Sequence, residues 1–258
     1  MRPAATAVLL ALVAGCSSTP QGPTTAAGTE SGEATDPRNR ARVHTELASL
    51  YYARGNMAVA LDELRVAVAA DSSYAPAHSM FGSVYMALRE TTLAQSSFEK
   101  AVSIAPTDPD INHNFGWFLC QNGKPAESIR YFQQAVKNPL YPTPWRTYSA
   151  AGVCTQMSGN VKDAEDYFLR ALRLEPDEPT ALLQLSQIRY RQKALDDARR
   201  LVSRYNKLVA PSAESLWLAL RIERKTGERA AEASYASQLR RRFPGSAEYQ
   251  ALQRGDFD

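Results

Sequence analysis

Histidine and cysteine are both scarce in this sequence, with three of each among 258 residues. His44 and His78 lie 34 residues apart, and no two histidines fall within one helical turn, so no zinc-ligand spacing is present. The glycine motifs of serine hydrolases, P-loop nucleotide-binding proteins and dinucleotide-binding proteins are also missing. We therefore predict no catalytic residue, no metal site and no cofactor.

Excess charge and long apolar runs are missing too. The formal net charge is +3, a balance that gives no reason to expect strong phosphate binding, so nucleic acid is not an expected partner. Hydrophobic residues make up 44% of the chain, yet no uninterrupted apolar run reaches the length of about 18 residues that a membrane-spanning helix needs. Any membrane attachment must therefore come from the first residues.

Those first residues carry a specific signal. Arg2 supplies a positive start, residues 4–12 are apolar, and Val13-Ala14-Gly15-Cys16 places small residues before a cysteine. The pattern resembles the bacterial lipobox, which implies that residues 1–15 are a signal peptide and that Cys16 is lipidated. Ser17, where sorting rules would place Asp for retention in the inner membrane, favours the outer membrane. A plain secretory leader with a chance cysteine is the alternative.

A polar stretch follows the lipobox. Residues 17–37 consist mainly of Ser, Thr, Gly, Pro and Ala, a composition that buries too little apolar surface to fold. We interpret residues 16–40 as the lipidated cysteine and a flexible tether, which as a random coil would span roughly 25 Å on average.

From residue 41 onward one pattern recurs at steps of 34 to 36 residues. A small residue early in the second helix marks each unit, at Ala60, Ala94, Ser128, Ala164, Ala198 and Ala233. Aromatic or aliphatic residues at helical spacing surround each marker, as expected for two antiparallel helices packed closely together. We place the repeat domain at 41–246, with units near 41–74, 75–108, 109–144, 145–178, 179–213 and 214–246, and a C-terminal tail at 247–258.

Turn and capping residues agree with this division. Glycines at 55, 123, 159 and 227 fall between the two helices of a unit, where a left-handed backbone is easily adopted only by glycine. Asp108-Pro109 and Glu178-Pro179 open new units with a capping residue followed by proline. Unit three ends in the proline-rich stretch 138–144, two residues longer than the repeat requires, which we expect to bulge from the edge of the stack.

The repeat resembles the tetratricopeptide repeat. This resemblance implies an all-α, right-handed superhelical solenoid of about six helix-turn-helix units that binds protein on the concave face of its first helices. The candidate contact residues, drawn from positions two, five, nine, twelve and thirteen of units one to four, are Tyr52, Met86, His113, Trp117, Gln121, Arg146, Ser149 and Met157. For Trp117, packing between units is an equal alternative.

Cys120 and Cys154 are the remaining cysteines after Cys16. They occupy the first helices of neighbouring units, so their sulfurs meet if the β-carbons come within about 4 Å. Two buried unpaired thiols are the other interpretation.

Three stretches are more specific than the repeat itself. Residues 112–120 (NHNFGWFLC), 138–142 (NPLYP) and 151–154 (AGVC) make the chain similar to the PilF/PilW family of type IV pilus biogenesis lipoproteins, although Ala150 stands where many members have Asn. The resemblance implies a monomeric pilotin, a protein that brings the secretin subunit to the outer membrane and promotes its assembly. It also implies a disulfide between Cys120 and Cys154.

Two other function classes stay open at this point. The first is a repeat-containing lipoprotein that serves as a scaffold for another cell-envelope assembly, such as peptidoglycan synthesis or secretion. The second is an enzyme with an unrecorded site around His113 and nearby carboxylates.

Overall fold

The computed structural model describes residues 36–257, which form thirteen α-helices and no β-strand. The helices are α1 (Pro37–Ala53), α2 (Met57–Ala70), α3 (Ala75–Ala87), α4 (Thr91–Ile104), α5 (Pro109–Gln121), α6 (Pro125–Ala135), α7 (Pro144–Met157), α8 (Val161–Leu174), α9 (Pro179–Arg191), α10 (Leu195–Leu208), α11 (Ala213–Thr226), α12 (Arg229–Arg242) and α13 (Ala247–Arg254). The lipobox, with Cys16, and residues 17–35 of the tether lie outside the described residues.

Consecutive helices pair, from α1 with α2 to α11 with α12. Each odd-numbered helix up to α9 also contacts the next odd-numbered helix, so the first helices of the pairs form one continuous wall. Each even-numbered helix up to α10 contacts the first helix of the following pair, which closes the seam between units. The predicted all-α superhelical solenoid is confirmed.

A glycine and a phenylalanine hold the two helices of the middle units together. The pairs are Gly82–Phe98, Gly116–Phe132 and Gly152–Phe168. A β-carbon on Gly152 would lie 2.5 Å from Cε1 of Phe168, a distance that no ordinary carbon–carbon contact allows. The absence of a side chain at this position therefore lets a fully buried aromatic ring fill the seam.

The turns between paired helices use a left-handed residue. Gly55, Gly123, Gly159 and Gly227 have φ between 78° and 83°. Arg89 and Lys193 stand at the equivalent turns of units two and five with φ of 63° and 64°. The turn geometry is thus kept even where the glycine is replaced, at a steric cost to the backbone.

The start of the folded domain differs from the sequence-based boundary. The tether was predicted to extend to residue 40, but α1 begins at Pro37. The Asp36 carboxylate accepts a hydrogen bond from the Arg38 N–H, and proline at the first helical position needs no hydrogen-bond partner for its nitrogen. These two local signals extend the first helix into the stretch assigned to the tether.

The predicted C-terminal tail is also partly helical. Residues 247–254 form α13, which Ser246 caps through a hydrogen bond from the Tyr249 N–H and which ends at Gly255. This helix contacts α11 and α12, and the Phe257 ring stacks on Trp217 with 5.5 Å between ring centroids. The segment therefore covers the end of the stack, where the last pair has no following unit to pack on.

The proline-rich stretch of unit three both projects and turns inward. The Leu140 side chain is 87% exposed, whereas Tyr141 is only 6% exposed. The predicted bulge therefore exposes the side chain of Leu140 and buries that of Tyr141. No helix within residues 36–257 combines the length and hydropathy needed to cross a membrane.

Candidate functional site on the inner wall of the solenoid

A cavity of about 680 Å³ lies along the wall of first helices. Most of its lining comes from α1, α3, α5 and α7, and the beginning of α9 closes one end. The lining includes Tyr52, Met80, Ser83, Met86, His113, Asn114, Trp117, Arg146, Ser149, Val153 and Glu178. The wall thus brings together side chains as far apart in the sequence as Ser49 and Thr180, which are separated by 131 positions.

Six of the eight predicted contact residues line this cavity, namely Tyr52, Met86, His113, Trp117, Arg146 and Ser149. Gln121 and Met157 do not. Each is the last residue of its helix, so its side chain falls at the turn edge of the unit and not over the cavity. Met157 is 56% exposed and its sulfur lies 3.8 Å from the Cys120 sulfur.

Sequence reasoning missed Met80 and Asn114, which line the cavity from the sixth position of units two and three. The signal was available, because position six lies one helical turn beyond position two and three residues before position nine, on the same helix face. Glu178 was assigned to capping alone, and its place at the cavity follows from the packing of α9 on α7.

The apolar part of the cavity carries Tyr52, Met80, Met86 and Trp117. Methionine adapts its shape to different partners, and aromatic side chains are enriched where proteins bind one another. Trp117 also packs against the cluster around Cys120 and Cys154. The packing interpretation of Trp117 is therefore confirmed, and the residue also borders the cavity, where its role as a partner contact stays a prediction.

His113 is the histidine among the residues that line the cavity. Its Nδ1 lies 2.9 Å from the Thr147 hydroxyl, which in turn donates to the Tyr141 hydroxyl at 3.3 Å. Burial, with a smaller effect from the nearby Arg146 charge, lowers the pKa of His113 to about 4. The imidazole is therefore neutral at ordinary pH.

Asp110 lies next to this network, close enough to Tyr141 to interact with its hydroxyl. Burial, followed by the neighbouring Asp108 charge, raises the pKa of the Asp110 carboxyl above its ordinary value. Tyr141 thus links the proline-rich stretch to α5 and α7, and the sequence offered no sign of this contact beyond the extra length of unit three.

Glu178 is buried at the cavity wall, yet its hydrogen-bonding capacity is used. Its carboxylate accepts from the Ser149 hydroxyl at 2.6 Å and from the backbone N–H groups of Thr180 and Ala181, which it caps at the start of α9. Ser149 itself is 3% exposed. We predicted Ser149 as a partner contact, and the structure shows instead that its hydroxyl is committed to Glu178.

Arg146 differs from these satisfied groups. It is exposed on the first turn of α7, and no carboxylate of residues 36–257 lies within ion-pair distance of its guanidinium. Farther along the stack, Arg189 pairs with Glu165, and Arg199 pairs with Glu223. The cavity therefore presents one positive charge beside its apolar surface.

Cys120 and Cys154 form a disulfide between α5 and α7, with 5.7 Å between their α-carbons. Both side chains are completely buried. The bond ties units three and four together directly behind the cavity wall that Trp117 borders.

The wall presents apolar side chains, hydroxyl groups and one guanidinium. In the part of the chain that the structure describes, no three His, Cys, Asp or Glu side chains are grouped to hold a metal ion. His113 faces a hydroxyl whose own hydrogen bond goes to Tyr141, which is a positioning arrangement.

Comparisons with known proteins agree with this architecture. Tetratricopeptide-repeat family models match residues 75–108, 97–130 and 158–213. The chain is 30% identical to the type IV pilus assembly protein PilF of Pseudomonas aeruginosa over 217 residues, which cover 84% of this chain and 86% of that protein.

Two solved structures are similar over most of their length. A structure of Pseudomonas aeruginosa PilF aligns with a TM-score of 0.81 and 28% identity, covering 85% of this chain and 99% of the other. The crystal structure of PilW, described as a widely conserved type IV pilus biogenesis factor, aligns with a TM-score of 0.74 and 32% identity, covering 83% and 98%.

Proposed function

The chain belongs to the PilF/PilW family of tetratricopeptide-repeat proteins of type IV pilus biogenesis, and from this premise we propose that it acts as a pilotin. In this role it binds the secretin subunit, brings it to the outer membrane and promotes its assembly into a channel. The groove over units one to four holds a helix or an extended segment of the secretin.

The observation that carries this proposal is the cavity on the inner wall. Its volume of about 680 Å³ lies within the range of cavities that bind ligands, and its apolar part offers Tyr52, Met86 and Trp117 as anchors. Binding energy in protein interfaces concentrates in a few such side chains, so a short segment inserted here gains most of its affinity from them.

We further propose that lipidated Cys16 anchors the protein to the periplasmic face of the outer membrane. The support is the lipobox sequence Val13-Ala14-Gly15-Cys16 and the tether that follows it. Several acyl chains hold a protein firmly to a bilayer, whereas one gives only marginal binding. The repeat domain then reaches the secretin from a fixed point on the membrane.

The test is the double substitution Tyr52→Ala and Met86→Ala, with secretin multimers measured on denaturing gels and pilus function measured as twitching motility. We expect loss of multimers and motility, because both substitutions remove apolar surface from the groove. Tyr52 and Met86 also pack against buried core residues, so the stability of the variant is measured together with its function. The matched control is Val59→Ala with Leu93→Ala, two exposed apolar residues on the second helices of the same units.

Circular dichroism and urea unfolding establish that both double variants fold. Normal secretin assembly in a folded Tyr52→Ala/Met86→Ala protein would show that another face is responsible. Defects in cell shape with normal motility would instead favour the scaffold of a different envelope assembly.

A further inference from the structure

Two charged side chains line the cavity, and they differ in what they can still bind. Glu178 is buried and accepts three hydrogen bonds from its own α9 turn and from Ser149. Arg146 is exposed and its guanidinium has no carboxylate partner among residues 36–257. His113, which also lines the cavity, is neutral. The groove therefore has one positive charge available to an incoming group.

Asp110 lies near this charge but does not pair with it. It is solvent-exposed, it does not line the cavity, and its carboxylate is not within ion-pair distance of the Arg146 guanidinium. The Arg146 side chain makes no hydrogen bond or ion pair with another side chain of residues 36–257, so its donors are available to an incoming group.

We propose that Arg146 receives an aspartate or glutamate carboxylate of the segment that occupies the groove, while apolar side chains of the same segment rest on Met80, Met86 and Trp117. This inference rests on the proposed function and names the chemistry of the partner: an apolar segment that carries an acidic side chain. Guanidinium binds carboxylate through two parallel hydrogen bonds, so the contact sets the register of the segment as well as adding affinity.

The adjacent apolar wall strengthens this contact. A bound segment displaces water from the methionine and tryptophan surfaces, which lowers the local dielectric around the ion pair. A neutral His113 adds no second positive charge, so one carboxylate satisfies the site. Because Arg146 repels positive charge, a lysine or arginine at the segment position that faces Arg146 is disfavoured.

The experiment uses fluorescein-labelled peptides of about 15 residues that tile the cognate secretin, with binding to the purified protein measured by fluorescence anisotropy. Each peptide that binds is remade with its acidic residues changed singly to the matching amide. The proteins compared are wild type, Arg146→Gln, Arg146→Lys and, as a matched charge control, Arg173→Gln. Arg173 is exposed in the last turn of α8 and does not line the cavity.

We expect one acidic residue whose change to the amide weakens binding to the wild type at least five-fold but leaves binding to Arg146→Gln unchanged. Arg146→Lys should recover part of the loss, and Arg173→Gln should bind as the wild type does. The affinity for the acidic peptide should also fall as salt is raised.

Two results would overturn the inference, and they differ in what else they affect. If peptides bind but every acidic residue contributes equally with and without Arg146, the carboxylate contact is wrong and the pilotin proposal stands. If no secretin peptide binds the wild-type protein, the proposed function fails and the inference fails with it. Circular dichroism on each variant confirms that lost binding is not lost folding.

Discussion

Within residues 36–257, Arg89 and Lys193 are the two non-glycine residues with a left-handed backbone, and both lie in turns between paired helices. This conformation costs an L-residue with a β-carbon roughly 1 kcal/mol. Glycine avoids that cost but loses more conformational entropy on folding. We expect Arg89→Gly and Lys193→Gly each to raise the free energy of unfolding by about 0.5 kcal/mol.

Urea unfolding followed by circular dichroism measures this change. The reverse substitution, Gly159→Ala at the equivalent turn with φ of 83°, serves as the control and should destabilise the protein. A loss of stability in both glycine variants would mean that the long side chains of Arg89 and Lys193 make compensating contacts.

His113 gives the fold a dependence on pH. The unfolded chain binds a proton at a pKa of about 6.5, whereas the folded protein does so at about 4. Between these values the unfolded state binds more protons, so stability is complete above pH 6.5 and falls as the pH drops toward 4. The loss is at most about 3 kcal/mol, because one pKa unit corresponds to about 1.4 kcal/mol.

The measurement compares urea unfolding at pH 4.5 and 7.5 for the wild type and for His113→Gln, which keeps a donor near Thr147. The variant should lose less stability on acidification. The raised pKa of Asp110 acts with the opposite sign, since it favours folding at low pH and loses that contribution as pH rises. This effect is present in both proteins and cancels in the comparison, so equal losses in the two proteins would contradict the prediction.

At the scale of the helix, the disulfide joins two elements that already pack side by side. It closes a loop of 34 residues between α5 and α7, which corresponds to about 3 to 4 kcal/mol in the chain-entropy model. We expect the Cys120→Ala/Cys154→Ala protein to unfold at lower urea concentration by that order of free energy while keeping its helix content.

Mass spectrometry of peptides prepared without reductant tests the bond itself in protein isolated from the bacterium that makes it. A linked Cys120–Cys154 peptide is expected there. Free thiols at both positions, or a double alanine variant as stable as the wild type, would show that packing alone holds units three and four together.

Some helix boundaries are set by interactions within a few residues, whereas others depend on contacts with distant parts of the chain. Asp108, Glu178 and the turn glycines mark helix ends through bonds and dihedrals within a few residues, so their positions were predictable. Helix α13 was not predicted, because its eight residues gain stability from contacts with α11 and from the Phe257–Trp217 stack. A helix of this length is marginal without such packing.

At the scale of the whole molecule, function depends on where the repeat domain is held. We expect Cys16→Ala to move the protein from the outer-membrane fraction to the soluble periplasmic fraction, because the acyl chains are its proposed anchor. Immunoblotting of fractionated cells measures this, with the Cys120→Ala/Cys154→Ala protein as a control that loses cysteines without losing the lipobox. Membrane retention of a cleaved Cys16→Ala protein would contradict a lipid anchor.

The amino-acid sequence by itself determined the repeat: its period, its glycine turns, its capped helix starts and the family that these features resemble. Each of those signals acts over a few residues or recurs every 34, so it can be read along the chain. Only the tertiary structure decided that Arg146 faces the cavity with no acidic partner among residues 36–257, that the Ser149 hydroxyl donates to Glu178, and that Tyr141 turns inward while Leu140 projects. Those outcomes depend on contacts between side chains of different helices. The free energy of such contacts is set by the packing of the helices, so it cannot be read from any one segment of the sequence.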